Sequence, residues 1–257
     1  MTSLKNKIVL ITGASSGIGK ACAEKFAELG ASLILIARRK EKLQIVEKEL
    51  QKKYSIKIYT VQLDVTKRNE VKKFFDTLPK EWKNISILIN NAGLSRGLDE
   101  FQNANIDDWE EMIDTNIKGL LYVTRTLLPT MIKNNEGHII NIGSTAGHFV
   151  YPKGNVYNAT KFAVNALTQA LKMDLHGTPI RVTSIDPGLV ETEFSIVRFH
   201  GDTEKAKKVY EGMTPLSPND VADAVIWSAT RPPHVNIQDI ILMPTDQSSP
   251  TMVHRRK

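Results

Sequence analysis

Tyr157 and Lys161 lie four residues apart in Asn155–His176, a stretch whose apolar spacing predicts a helix, so both side chains leave the same face. A phenol with a pKa of about 10 is almost wholly protonated at neutral pH, which makes it an available acid and a poor base. A neighbouring ammonium favours the phenolate, and a drop of about three pKa units corresponds to about 4 kcal/mol. Such a tyrosine can give a proton to a carbonyl under reduction or take one from an alcohol under oxidation. A Tyr-x-x-x-Lys pair alone is common, and its meaning depends on its company.

Part of that company is the run Thr12-Gly13-Ala14-Ser15-Ser16-Gly17-Ile18-Gly19, set between a short apolar stretch and a helical pattern. Its glycines depart from the spacing G-x-G-x-x-G but serve the same physical purpose. They allow a tight turn and a close backbone approach, and the helix that follows offers free N–H groups to a pyrophosphate. The plain structural reading is a turn with Ser16 as a helix cap. A dinucleotide-binding unit selective for NAD would place an acid at the end of the second strand to hold the ribose 2′-hydroxyl. Here that position reads Ala37-Arg38-Arg39. Two guanidiniums contributing about 1.5–3 kcal/mol each to a 2′-phosphate would favour NADP over NAD by roughly a hundredfold or more. NADP(H) is the cofactor expected; the alternative is a pair of surface arginines opening a basic helix.

Thr12–Gly19 (TGASSGIG), Asn90–Gly93 (NNAG), Asn116, Ser144, Tyr157-x-x-x-Lys161 and Pro187-Gly188 follow one another in an order that resembles the short-chain dehydrogenase/reductase family across nearly the whole chain. Ile139–Gly147 (IINIGSTAG), Asp174–Thr178 (DLHGT), Pro187–Phe199 (PGLVETEFSIVRF) and Gly201–Tyr210 (GDTEKAKKVY) look like its NADP-dependent 3-hydroxy acid dehydrogenase branch, which acts on serine or allo-threonine. The resemblance implies that Tyr157 is the general acid/base and that Lys161 lowers its pKa and holds the nicotinamide ribose. It also implies that Ser144 bonds the substrate oxygen and that Asn116 anchors a water relaying protons to Lys161. Gly13, Ser15, Ser16, Gly17, Ile18 and Gly19 would cradle the pyrophosphate, and Asp64, Val65 and Asn91 would meet the adenosine half. Pro187, Gly188, Val190 and Thr192 would border the nicotinamide. It further implies a homotetramer, paired through the helices predicted at Ile106–Lys133 and Asn155–His176. Each residue also has a plainer reading: Ser144 as a turn cap, Asn116 as a partner for helix backbone, Asp64 as a helix cap.

The elements that must position these groups alternate strand and helix throughout. Strands are predicted at Lys7–Thr12, Ser32–Ala37, Ile56–Gln62, Ile85–Asn90, His138–Gly143, Ile180–Ile185 and Asp239–Met243. Helices are predicted at Gly17–Gly30, Lys40–Lys53, a stretch reaching about Leu78, Ile106–Lys133 with Pro129 bending or ending it, Asn155–His176 and Pro218–Thr230. Strands apolar on both faces and separated by helices predict a doubly wound α/β Rossmann fold, with a seven-stranded parallel sheet covered on both sides. Residues 1–257 read as one such domain, with a substrate lid at about 191–217. Ligands of such sheets sit beyond the carboxyl ends of the strands.

Composition removes other classes. With 41% apolar and 24% charged residues the chain is neither disordered nor collagenous. Its longest apolar runs fall far short of the roughly 18 residues needed to span a bilayer, and Met1–Asn6 leads directly into a strand-like run without a signal-peptide core. One cysteine, Cys22, permits no disulfide within the chain and no cysteine zinc site; it reads as a packing residue. The expected location is cytoplasmic, with no metal and no membrane. A net charge of +6 raises nucleic acid as a partner, but Arg38–Lys57 interleaves Glu41, Glu47 and Glu49 with its cations and lacks a stacking series, so no nucleic acid is expected.

The substrate expected is a small hydroxy acid or the matching carbonyl compound. Its carboxylate needs a cation, and Arg198 within the 191–217 segment is the candidate, with a salt bridge to Glu191 or a subunit contact as its other uses. Arg96, Lys153 and His148 are lesser candidates. A broad ketone and aldehyde reductase would be indifferent to a carboxylate, and a non-catalytic NADP-binding regulator would not need Ser144, Tyr157 and Lys161 together.

Overall fold

The structure, a computed structural model, describes residues 4–256; Met1–Ser3, and Lys257 at the end of the basic tail, lie outside the described residues. Seven strands form one parallel sheet: β1 (Ile8–Thr12), β2 (Ser32–Ala37), β3 (Ile58–Gln62), β4 (Ile85–Asn90), β5 (His138–Ile142), β6 (Arg181–Pro187) and β7 (Asp239–Leu242). Their order is β3-β2-β1-β4-β5-β6-β7, with every neighbouring pair parallel. This is the doubly wound Rossmann arrangement that the alternating pattern predicts.

The central strands explain the absence of alternating polarity. Every residue of β1 and of β4 is buried. Val9, Ile11, Leu33 and Leu35 point to one face, where they pack with Phe26 of α1 (Gly17–Glu28) and Val225 of α9 (Pro218–Ala229). Leu10, Ile34, Ile36 and Leu88 point to the other, against Val123, Leu127 and Met131 of α5 (Leu120–Asn134). Successive side chains of each strand thus feed opposite cores. The chain runs outward from β1 to β3 on one side and from β4 to β7 on the other, so the switch point falls between Thr12 and Asn90, the carboxyl ends of β1 and β4.

The elements predicted at Ser32–Ala37, Lys40–Lys53 and Ile85–Asn90 keep those bounds, the second as α2 (Lys40–Lys53). The helix after β3 is α3 (Arg68–Thr77). The single helix expected over Ile106–Lys133 is instead α4 (Ile106–Ile113), a π-helical turn (Asp114–Gly119) and α5. Pro129 does not end that helix: α5 continues to Asn134 and stops where Asn135 turns left-handed at φ 53°. An interior proline costs about 3 kcal/mol, and burial of Val123, Leu127 and Met131 on the same helix opposes that cost. The irregularity lies instead at the π turn, which carries Asn116.

Tyr157 and Lys161 lie on α6 (Asn155–Asp174). Beyond β6, the 191–217 segment is more regular than its sequence suggests, with α7 (Phe194–Arg198) and α8 (Thr203–Lys208) and a parallel bridge from Val190 to Leu216. Cys22 is fully buried in the core, and burial pushes its thiol up to about 12, where it is inert. Among the described residues no helix is long and apolar enough to cross a membrane.

Candidate active site

A cleft of about 730 Å³ lies at the carboxyl ends of the strands, lined by the glycine turn, by residues following β2 to β6, and by the 191–217 segment. Gly13 has φ +65° and Gly17 φ +53°, a region that favours glycine. At Gly19 the reason is space: a Cβ there would stand 2.4 Å from the Gly13 carbonyl and 2.5 Å from Asn91 Nδ2. Asn91 stitches this turn to β4, donating through Nδ2 to the carbonyls of Thr12 at 2.9 Å and Gly13 at 3.2 Å. Ser16 precedes α1 with no side-chain capping bond, which leaves its hydroxyl for Arg39.

Three of the four residues expected at the reacting end line the cleft, reached by different routes. Tyr157 and Lys161, one turn apart on α6, are both buried and line the cleft. Ser144 follows β5; its backbone N–H donates to Asp186 Oδ1 at 3.0 Å, and its Oγ accepts from Ala146 N at 3.1 Å. Its capping and its place in the cleft are therefore compatible. Asn116 does not reach the cleft surface. It accepts from Leu94 N at 2.9 Å and donates to Leu94 O at 2.8 Å and Thr160 Oγ1 at 3.0 Å, clamping the turn after β4 onto α6.

The electrostatics depart from expectation at the phenol. Burial raises the pKa of Tyr157; Arg198 and the Ser144 hydroxyl pull it back, and Asp186 adds to the rise. Burial outweighs these pulls, so the net direction is upward; Lys161 Nζ stands 5.9 Å from the ring centroid and donates to the Ile142 carbonyl at 3.0 Å. Burial pulls the Lys161 ammonium itself down to about 8. The Arg198 guanidinium carbon lies nearer the ring centroid, at 5.1 Å. Among the described residues Arg198 makes no salt bridge to Glu191. It donates to two neutral hydroxyls, Ser95 Oγ at 3.0 Å and Tyr151 OH at 2.9 Å.

At the other end of the cleft, Arg39 donates to Ser16 Oγ at 2.7 Å, Ser15 Oγ at 3.2 Å and Glu193 Oε2 at 2.7 Å. Lys42, on the first turn of α2, pairs with the other oxygen of Glu193. Arg38 also borders the cleft but turns to Glu111 at 3.6 Å. Asp64 accepts from Thr66 N and Oγ1, holding its turn at the rim beside Val65, while Ile18, Pro187, Gly188, Val190 and Thr192 complete the lining. Of the lesser substrate candidates, Arg96 pairs with Glu111 at 2.6 Å, His148 meets Asp186 at 2.9 Å, and Lys153 lies outside the lining of the cleft.

These features fit a dinucleotide. The glycine turn leaves a cradle that a Cβ would fill, Arg39 supplies a charged end, and Thr115, whose buried Oγ1 has no hydrogen-bond partner among the described residues, is one of the residues lining the cleft. Several contributors escape sequence reading because they meet only in space. Ser95 and Tyr151 flank Arg198, and Gln247 accepts from Leu189 N at 2.9 Å. Pro250, Thr251, Val253 and Arg255 of the carboxyl-terminal tail also line the cleft. Lys42 was legible in principle, three residues after Arg39 on a helix. His148, Asp186 and Asp239 converge as well, although no spacing in the sequence marks them as a cluster. Asp186 is already bonded to Ser144 N, Ser184 Oγ and His148.

Residues 7–202 match the family model described as short chain dehydrogenase. The chain is 51% identical over 250 residues to an NADP-dependent 3-hydroxy acid dehydrogenase of Salmonella typhi, covering 96% of this chain and 99% of that one. It is 44% identical over 242 residues to sulfoacetaldehyde reductase 2 of Chromohalobacter salexigens, covering 94% and 95%. Its structure superimposes on the closed form of a serine dehydrogenase complexed with NADP+ with a TM-score of 0.91, at 49% identity and covering 97% and 100% of the two chains.

Proposed function

Because the chain belongs to the short-chain dehydrogenase family, we propose that it is an NADP-dependent oxidoreductase interconverting small 3-hydroxy acids, of the serine, L-allo-threonine and 3-hydroxypropionate type, with their 3-oxo counterparts. The observation that carries the substrate class is the placement of Arg198. A guanidinium held by two neutral hydroxyls beside the Tyr157 ring is a cation suited to an anionic group of the substrate. The relatives support this choice: one is a 3-hydroxy acid dehydrogenase and the other a reductase of an aldehyde bearing a sulfonate.

Gly13, Ser15, Ser16, Gly17, Ile18 and Gly19 hold the pyrophosphate, Arg39 with Arg38 the 2′-phosphate, and Asp64, Val65 and Asn91 the adenosine half. Lys161, Pro187, Gly188, Val190 and Thr192 border the nicotinamide. Bound there, the nicotinamide supplies or accepts the hydride. The chain manages the proton. The buried Tyr157 phenol, with its pKa raised, is held as a donor and gives its proton to the oxygen of a carbonyl under reduction. Ser144 hydrogen-bonds the same oxygen, and the cationic Arg198 offsets charge on the phenolate left behind. Lys161, pulled down to about 8, stands behind the ring as an amine able to exchange a proton near working pH. Asn116 acts by positioning, since its amide is committed to Leu94 and Thr160.

The same reading includes a cytoplasmic homotetramer paired through α4, α5 and α6. Exposed apolar side chains on these helices support it: Ile106, Leu121, Ile132, Phe162 and Met173. The test of function is the initial rate of NADP+ reduction with L-serine, L-allo-threonine and 3-hydroxypropionate against matched neutral alcohols. Rates confined to the acids are expected. Turnover of the neutral alcohols alone would replace this reading with a general carbonyl reductase.

A further inference from the structure

The cations facing the 2′-phosphate position already hold an anion of the chain itself. Arg39 donates to Glu193 Oε2 at 2.7 Å, and Lys42 donates to Oε1 of the same carboxylate. Arg39 is further fixed by Ser15 and Ser16. Glu193 heads α7, across 154 residues of sequence from Arg39, and its two cationic partners hold its carboxyl at about 2, so it is ionised at any working pH. A guanidinium, an ammonium and two hydroxyls form a donor set suited to a phosphate monoester. In this structure a carboxylate fills its cationic part.

We propose that Glu193 sets the cofactor preference of the site as an internal anion competing with the 2′-phosphate of NADP(H) for Arg39 and Lys42. The inference deepens the proposed function and rests on its assignment of NADP(H). A phosphate dianion drawing on the same nitrogens displaces Glu193, because two anions sharing them repel, so the cost of breaking both ion pairs is subtracted from NADP(H) binding. A cofactor with a free 2′-hydroxyl leaves the pairs intact, and a carboxylate at this place is the type of group that accepts from that hydroxyl. Glu193 therefore narrows the preference for NADP that Arg39 and Lys42 create. Both pairs are partly exposed, with side chains 40–44% accessible. The effect expected is therefore modest, about three- to tenfold in Kd.

Calorimetric titration of the full chain and of Glu193→Gln with NADP+, NAD+ and 2′,5′-ADP tests this without reference to turnover. Glu193→Gln, close in shape and at an accessible position, is expected to bind NADP+ and 2′,5′-ADP about three- to tenfold more tightly, with NAD+ unchanged or weaker. Glu193→Ala should shift the same way, and in an Arg39→Gln/Lys42→Gln background the gain should vanish. An unchanged or raised Kd for NADP+ and 2′,5′-ADP, or an equal change for NAD+ and NADP+, overturns the role of Glu193. If wild type binds NADP+ more tightly than NAD+ in that case, the cofactor assignment stands. If NADP+ binds no more tightly than NAD+ in both wild type and Glu193→Gln, the cofactor assignment fails, and the inference falls with it.

Discussion

The guanidinium carbon of Arg198 stands 5.1 Å from the centroid of the Tyr157 ring and 5.2 Å from that of Phe194, which itself lies 5.7 Å from Tyr157. One cation therefore faces both the place that the proposed function gives to an anionic substrate and the phenol that it makes the proton donor. Its attraction to the ring faces, the hydroxyls of Ser95 and Tyr151, and the short helix α7 together keep it there.

Removing that cation separates binding from general catalysis. A charge-assisted bond of about 1.5–3 kcal/mol corresponds to a roughly 10- to 100-fold rise in KM for 3-hydroxypropionate in Arg198→Ala. A neutral alcohol should show little change in KM. Steady-state kinetics on both substrates checks this, and an unchanged KM for the acid would take Arg198 out of the substrate site.

Lys161 predicts an exchange of stability for function. Its ammonium is buried and its pKa falls from 10.5 to about 8, so folding opposes the charged form. A lysine with a depressed folded pKa contributes its full stability only above the unfolded value and loses it as pH falls through the folded one. At pH 7 the charge therefore disfavours the native state by roughly 3 kcal/mol, less about 1 kcal/mol for the bond to the Ile142 carbonyl. Lys161→Met without cofactor should melt several degrees above wild type at pH 7. The advantage should shrink between pH 8 and 10.5, and turnover should be lost. A lower melting temperature at pH 7 would show that the lysine is not strained by its burial.

Gly143 is fixed by the carboxylate that holds the serine loop. A Cβ there would lie 1.7 Å from Asp186 Oδ1, the atom that accepts from Ser144 N and Ser184 Oγ. Gly143→Ala must push Asp186 aside, at a cost of about 1–3 kcal/mol, and Ser144 moves with it. Calorimetric melting should fall and turnover with it. Gly177→Ala is the control, since nothing lies within 4 Å and only its φ of +83° opposes the side chain; it should lose some stability and keep its kcat. Full activity in Gly143→Ala would mean that Asp186 does not position Ser144.

What was legible in the sequence follows the range of the interactions. β2 and β4 could be read to the residue because their apolar runs are buried on both faces, and the glycine turn because close approach leaves few alternatives. The break at Asp114–Gly119 was not legible: Asp, Thr, Asn and Gly are weak helix formers, but propensity does not tell a π turn from an α-helix, and the π turn is paired with Asn116 bonds to Leu94 and Thr160, far off in sequence. An end at Pro129, one of the two outcomes expected there, does not occur, because local propensity names a breaker where core packing sustains α5. The pair Tyr157–Lys161 was placed correctly on one helix face, yet the direction of the phenol's shift depends on burial and on Arg198, which spacing does not reveal. The contacts of Glu193 with Arg39 and Lys42 and the tail along the cleft are likewise products of the fold alone.

The most direct test of Tyr157 as the proton-transferring group is the kcat of Tyr157→Phe for NADP+ reduction with 3-hydroxypropionate, measured beside its Kd for NADP+. The phenyl ring preserves packing against Phe194 and Arg198 and removes only the hydroxyl. A fall of about 10²- to 10⁴-fold in kcat, the range for a positioned acid or base, is predicted, with cofactor affinity nearly unchanged. A kcat near that of wild type would contradict the mechanism.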